Sequence, residues 1–299
     1  MTSAQCNLRY VSRAQQQLTL QSSKNALKVR SQLGITLVAP LCVYQVAEAL
    51  GVEVRFVDIP SMEGMYCRIS SPTILLSSHR PAGRQRFTAA HELGHHVFGH
   101  GEHIHELLDR RESTYKYTPE EQIADAFAAC LLMPKSAVGN AFAIRGISPM
   151  FCSHLDVYAV AWLFGVGYET LIQHMRLTLG VISEERARLL LRYSPKSIRK
   201  ELLGQQIEED IIPIDFSWNG RAIDAQIGDL VRLPRGVQVE GSCMETVCNS
   251  IDNTTVRAIQ PGVGRLVNNA PDWASFVRVS RRDFVGRACY RFLEDQEDE

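Results

Sequence analysis

The chain has 299 residues, a formal net charge of −1, and 45% hydrophobic and 22% charged residues. This length predicts two or three domains, and the composition is typical of a soluble globular protein. The near-zero net charge argues neither for nor against a nucleic-acid partner. The first twenty residues are polar, and the eight scattered cysteines include no Cys-x-x-Cys pair. We therefore expect a cytoplasmic protein with reduced thiols and no membrane partner.

The segment before residue 100 mixes strand and helix signals. Apolar spacing predicts a helix over 43–50, and alternation predicts a strand over 52–57. Residues 66–69 and 73–77 read as paired strands, and we expect the second to form a sheet edge to which an extended substrate adds. A helix is predicted from about residue 84 to Phe98.

That helix carries the sequence His91-Glu92-Leu93-Gly94-His95, which is an H-E-x-x-H motif. Two histidines four residues apart lie on one helix face and can bind one metal ion. Glu92 can act as the general base toward a metal-activated water, as in zinc peptidases. Phe98 and Gly101 stand where the longer metzincin motif needs a glycine and a third histidine, which excludes that form.

A third metal ligand is predicted on the next helix, which Thr118 and Pro119 begin and Met133 ends. Glu121 and Asp125 share one face of this helix. Glu121 could bind the metal, while Asp125 could accept the remaining N–H of a metal-binding histidine. Glu121 could also complete a capping box with Thr118, and the two roles are compatible. Zinc suits two imidazoles and one carboxylate, and manganese is an alternative.

Oxyanion stabilisation would need a further donor, and the polar segment between the two motifs offers candidates among which the sequence does not choose. They are His103, His105, Tyr115 and Tyr117.

Two segments of the chain, RFTAAHELGH at 86–95 and EQIADAFAACLLMP at 121–134, together resemble the ImmA/IrrE family of metallopeptidases. The resemblance implies a zincin-like, gluzincin-type peptidase in which His91, His95 and Glu121 bind the metal and Glu92 is the base. Asp125 stands where many relatives carry asparagine, and either side chain can accept a hydrogen bond. The resemblance also implies cleavage of a helix-turn-helix repressor in a stress, phage or mobile-element response.

Residues 155–193 are predicted to be helical, with breaks at 165–167 and at Gly180. This arrangement is similar to a helix-turn-helix. For base reading, the second helix offers Gln173, His174 and Arg176, which is weak support for DNA contact. Three helices that simply pack beside the catalytic part are the alternative.

The remaining residues predict a polar linker over 195–209 and short strands over 211–292, the last at 288–292, before an acidic tail. We therefore expect an α+β protein in three parts. Residues 1–150 form a zincin-like peptidase domain, 151–200 a helix-turn-helix-like bundle, and 201–299 a small β-rich domain with a possible regulatory role. The predicted function is a metal-dependent endopeptidase. The alternative is a DNA-binding or partner-binding transcriptional regulator whose metal site is structural or vestigial.

Overall fold

The computed structural model describes residues 13–68, 70–101, 103–106, 118–249, 253–269 and 272–293. The first twelve residues, the acidic tail from 294 onward, and the oxyanion candidates Tyr115 and Tyr117 lie outside this part of the chain. Within it, the predicted mixture of helices and sheets and the sheet-forming C-terminal region are confirmed.

The helices of the described part are α1 (Arg13–Gln32), α2 (Val43–Ala49), α3 (Ala82–Phe98), α4 (Pro119–Leu132), α5 (Lys135–Ala143), α6 (His154–Phe164), α7 (Tyr168–Gln173), α8 (Glu184–Leu190) and α9 (Pro195–Leu203). The strands are β1 (Glu53–Val57), β2 (Met62–Cys67), β3 (Thr73–Ser77), β4 (His103–Glu106), β5 (Ile211–Pro213), β6 (Ala222–Gln226), β7 (Leu230–Pro234), β8 (Gln238–Glu240), β9 (Met244–Asn249), β10 (Asn253–Ala258), β11 (Gly262–Asn269), β12 (Asp272–Ser280) and β13 (Gly286–Arg287).

The first sheet has the strand order β13-β1-β3-β2-β4. Strand β1 runs parallel to β3, and β2 runs antiparallel to both β3 and β4. The prediction that residues 73–77 form a sheet edge is therefore wrong, because β3 lies between β1 and β2. Its buried residues Ile74 and Leu76 fit an interior strand. The outermost described strand beside β2 is β4.

Helix α4 is held between α1 and α3. The buried guanidinium of Arg30 on α1 donates from Nε to the carbonyl of Leu131, at 2.8 Å. It also donates from Nη1 to the carbonyls of Thr36 and Ala39, at 2.9 Å each. Since the last carbonyls of a helix have no partner within it, Arg30 caps the C-terminal end of α4. Burial lowers the pKa of Arg30 to about 10.

Helices α6 and α7 follow one another across Gly165 at an angle of 101°. Helix α7 continues into a π-helical turn, His174–Thr178. His174 is buried there, and its Nε2 lies 2.8 Å from the carbonyl oxygen of Met133, at the end of α4. Arg176 pairs with Glu184 and Gln173. All three side chains considered for base reading, Gln173, His174 and Arg176, therefore contact the protein itself.

The C-terminal region forms two four-stranded sheets, ordered β5-β7-β10-β9 and β6-β12-β11-β8. Two sequence predictions are wrong here. Residues 195–203 form α9 rather than a linker, because Ser194 caps the helix, Pro195 occupies its first turn and the buried Ile198 anchors it. Residues 288–290 form a short 3₁₀ helix rather than a strand. Strand β13 just before it pairs with β1, so the chain returns to the first sheet.

Among the described residues, the helical run Pro119–Ala143 is long and apolar enough to cross a membrane. The bent pair of α6 and α7 also has the required length and apolar composition if the two helices are counted as one span. However, 61% of the apolar window of Pro119–Ala143 is buried inside the protein. A core helix gives the same signal, so these runs are weak evidence for a membrane span.

Candidate metal centre

Helix α3 carries the H-E-x-x-H residues on its buried side. His91 is 8% exposed, and Glu92 and His95 are fully buried. The predicted helix over 84–98 is confirmed, with a start two residues earlier, at Ala82. Gly99 ends the helix in the left-handed region at φ 69°, which glycine adopts without steric cost.

Helix α4 carries the carboxylates. Its N-cap is Thr118, whose Oγ1 accepts a hydrogen bond from the backbone N–H of Glu121 at 3.3 Å. The carboxylate of Glu121 lies beside the two imidazoles. Its Oε2 is 3.3 Å from Nε2 of His91, and its Oε1 is 3.6 Å from Nε2 of His95. Thr118 thus caps the helix through the Glu121 backbone while the Glu121 side chain faces α3.

Three ligand atoms converge in this way, and no two of them are more than 4.8 Å apart. The two Nε2 atoms of His91 and His95 are 3.1 Å apart. Ligands at the usual zinc distances of about 2.0–2.1 Å lie about 3.3–3.4 Å from one another around a tetrahedral ion. The observed spacings of 3.1, 3.3 and 3.6 Å match this value, so the residues present fit a divalent metal ion bound by two imidazoles and a carboxylate.

The second ring nitrogen of each histidine also has a partner. Nδ1 of His91 lies 2.8 Å from Oδ1 of Asp125. Nδ1 of His95 lies 3.1 Å from Nδ1 of His100. With Nε2 turned to the metal site, Nδ1 carries the proton and donates it to these acceptors, which fixes the orientation of each ring. The sequence predicts this role for Asp125 but not for His100.

The electrostatic surroundings of His91 favour positive charge. Burial by itself lowers the pKa of the His91 imidazole, but its hydrogen bonds with Asp125 and Glu121 outweigh burial and raise the pKa to about 9. A metal ion would take the place of the proton on Nε2 beside Glu121, while Asp125 would keep its hydrogen bond with Nδ1. Binding of a metal therefore has to displace a proton from His91.

Glu92 lies where β2 crosses α3. A Cβ on Gly64 of β2 would lie 2.4 Å from Cγ2 of Thr88 and 3.4 Å from Oε1 of Glu92. A residue with a side chain at position 64 would therefore collide with α3 one turn from the Glu92 carboxylate. Gly64 allows the strand to approach the candidate base.

Of the four candidates for the oxyanion donor, only His103 and His105 lie in the described part of the chain. In the pairing of β2 with β4, Gly64 is opposite His105 and Tyr66 is opposite His103. His105 therefore holds the register position across from Gly64, the glycine that lets β2 approach Glu92.

Comparison with known proteins identifies the segment that carries these residues. The family model described as the IrrE N-terminal-like domain, a peptidase M78 family, matches residues 47–176. This part of the chain belongs to the ImmA/IrrE family. The family match includes α3, α4 and every residue of the candidate metal centre, and it indicates metallopeptidase activity.

A solved structure of a Mycobacterium tuberculosis transcriptional regulator also aligns with the chain, at 14% identity and a TM-score of 0.35. The alignment covers 55% of this chain and 52% of the regulator, so this chain spans about half the length of that protein. The comparison with curated proteins gives no match.

Proposed function

We propose that this ImmA/IrrE-family chain is a metal-dependent endopeptidase with a zincin-like catalytic part. The observation that carries the proposal is the convergence of His91, His95 and Glu121 at tetrahedral spacings, with Glu92 on the same helix. A catalytic site keeps one coordination position open, and three protein ligands leave that position available. Zinc is the proposed metal because two imidazoles and one carboxylate suit it, with manganese as the alternative.

A bound zinc ion would lower the pKa of water and polarise the scissile carbonyl. Glu92 then takes the proton as water attacks the carbonyl carbon, and returns it to the leaving amine. Asp125 and His100 hold the two imidazoles in position throughout. His105 is the first candidate for the oxyanion donor, because its register position lies opposite Gly64.

The substrate is proposed to bind as an extended strand along β4 rather than along β3. Strand β3 has its hydrogen-bonding edges occupied by β1 and β2. Strand β4 is the outermost described strand on the side of β2, which passes Glu92 through Gly64. An added strand uses backbone hydrogen bonds for affinity and side-chain pockets for specificity.

A helix-turn-helix repressor in the cytoplasm is the proposed substrate, on the strength of the family resemblance. The rival function is a DNA-binding regulator with a structural metal site, and the 101° angle between α6 and α7 is in its favour. Against it, His174 is buried and Arg176 is paired within the protein. A DNA-reading helix needs such side chains at its surface.

The test is incubation of the metal-loaded chain with helix-turn-helix repressors encoded beside its gene, with cleavage scored by mass spectrometry. Wild type should cut one of them, and cutting should stop after chelation. Glu92→Gln should bind metal and fail to cut, whereas Glu120→Gln, an exposed glutamate in the first turn of α4, should cut normally. Undiminished cleavage by Glu92→Gln would exclude the proposed mechanism.

A further inference from the structure

A small cavity lies where α3, the C-terminal sheets and the end of the described chain meet. Its volume is about 30 Å³, which is room for a few waters or one small ion. The residues that line it include Arg86, Asp224, Arg282, Phe284 and Arg291. Arg86 belongs to α3, five residues before His91. The cavity therefore borders the helix of the candidate metal centre on its N-terminal side.

Three guanidinium groups surround the carboxylate of Asp224, and two of them, those of Arg86 and Arg291, line the cavity with it. Asp224 of β6 accepts from Arg278 at 2.6 Å and from Arg291 at 3.3 Å, while Nη2 of Arg86 lies 3.8 Å from its Oδ2. All four side chains are 22% exposed or less. The neighbouring Asp229 forms its own pair with Arg282 at 2.6 Å. Among Asp224 and its three arginines, one negative charge thus faces three positive charges, and the buried Asp229 also interacts with Arg86 at longer range.

Arg86 is the least satisfied member of this group. Its guanidinium can donate five hydrogen bonds. Yet within the described part of the chain its nearest carboxylate is that of Asp224, at 3.8 Å, and Asp229 acts on it from farther away; the Arg86 side chain is 16% exposed. A buried charge without hydrogen-bonded compensation costs stability.

The other two arginines are held in place. Arg291 stacks over Phe292 and Tyr44, with its Cζ 4.0 and 4.7 Å from the ring centroids, and Arg278 lies over Phe292 at 4.8 Å. An incoming ligand would therefore meet preformed donors.

We propose that this cavity binds a small tetrahedral oxyanion of the phosphate class, held between Arg86 and Arg291. Guanidinium groups bind phosphate oxygens in pairs, with charge-assisted hydrogen bonds. The anion would supply negative charge and join two parts of the chain, α3 through Arg86 and the C-terminal return segment through Arg291. The group that enters is either free phosphate or the terminal phosphate of a larger molecule that passes the exposed Arg282.

The test is calorimetric titration of the full-length protein with inorganic phosphate at constant ionic strength. Wild type should bind phosphate, and Arg86→Gln should weaken binding at least tenfold. Arg84→Gln is the matched control, because Arg84 lies on the same helix, is 51% exposed and pairs with Glu63 at 2.8 Å. This control should bind phosphate as wild type does. A parallel titration with glycerol phosphate separates the two sources, because tighter binding of the ester would identify a terminal phosphate.

A second variant and a second measurement distinguish loss of the phosphate site from unfolding of the Arg86 variant. Asp224→Asn removes the competing carboxylate and should tighten phosphate binding. In wild type, phosphate should protect Arg86 from phenylglyoxal, as measured by peptide mass spectrometry, and leave Arg84 reactive. Absence of phosphate binding by wild type at millimolar concentration, or equal binding by Arg86→Gln, would overturn the proposal.

Discussion

Gly94 of α3 and Ala124 of α4 lie so close that a Cβ on Gly94 would be 3.1 Å from Cα of Ala124. The same Cβ would be 3.2 Å from Cδ1 of Phe127. Gly94 stands between the two metal-site histidines in sequence, and Ala124 lies one turn after Glu121. The absence of a side chain at Gly94 therefore sets the distance between the two helices that carry the three ligands.

Gly94→Ala is expected to separate α3 from α4 and to weaken zinc binding, because Glu121 would move away from the imidazoles. Over-packing of a tight core typically costs about 1–3 kcal/mol of stability. Zinc affinity, measured by competition with a chelator, should fall, and the midpoint of urea unfolding should fall with it.

Gly139→Ala is the matched control for that variant. Gly139 lies in α5, and a Cβ there would have no atom within 4 Å. Alanine in a helix is favoured over glycine by roughly 1 kcal/mol. Gly139→Ala should leave zinc affinity unchanged and should not lower stability. A loss of zinc affinity in both variants would mean that the helix spacing at Gly94 is not the cause.

Asp125→Ala is expected to lower zinc affinity about 10–100-fold, the usual effect of removing an outer hydrogen-bond partner. The reason is that Nδ1 of His91 would lose the acceptor 2.8 Å away. Asp125→Asn keeps an acceptor and should retain most of the affinity. Equal affinities for the alanine variant and wild type would show that Asp125 does not position His91.

His100→Ala should also weaken zinc binding, because Nδ1 of His95 would lose its partner at 3.1 Å. His100→Gln can still accept through its amide oxygen and should recover part of the affinity. The control is His79→Ala, since His79 is 43% exposed and pairs with Asp58 instead. If His100→Ala and His79→Ala behave alike, the positioning role of His100 is wrong.

Because His174 is buried, we expect the folded protein to lose stability in mild acid. Burial lowers the pKa of its imidazole to about 4, even though the hydrogen bond to the Met133 carbonyl acts in the opposite direction. The unfolded chain, with a histidine pKa near 6.5, therefore binds more protons than the folded chain between about pH 6.5 and pH 4. The stability that neutral His174 contributes is complete above pH 6.5 and is lost as pH falls toward 4.

The measurement is urea unfolding of the metal-free protein at pH 7.5 and pH 5. A His174 pKa of about 4 corresponds to a loss of about 2 kcal/mol at pH 5. His174→Gln can still donate to Met133 but does not titrate, so its loss should be smaller by that amount. Identical pH dependence in wild type and His174→Gln would contradict the assignment.

Local signals in the sequence were enough to predict the elements of the site. The apolar stripe and Gly99 fix α3 to within two residues, and the pair Thr118 and Pro119 fixes the start of α4. The spacing of Glu121 and Asp125 placed both carboxylates on one helix face, and both now lie beside the histidines of α3. Each of these inferences depends only on contacts within one helical turn.

Features that depend on pairing between distant segments were not predictable in the same way. Residues 73–77 were predicted to pair with one neighbouring strand and to form a sheet edge, yet β1 and β2 enclose them. The addition of β13 to β1 joins residues more than 200 positions apart. His100 reaches His95 because Gly99 turns the chain back at the end of α3. Its backbone N–H donates to the His95 carbonyl at 3.0 Å. A glycine at the helix end followed directly by a histidine was the signal that could have suggested this contact.

The most direct test of the metal centre is a crystal structure of the zinc-loaded protein with the ion located by anomalous scattering. We expect one zinc ion bound by Nε2 of His91, Nε2 of His95 and the carboxylate of Glu121, with its fourth position held by a water molecule. A zinc ion whose fourth position is held by a protein side chain, or one that Glu121 does not contact, would contradict the proposed catalytic metal centre.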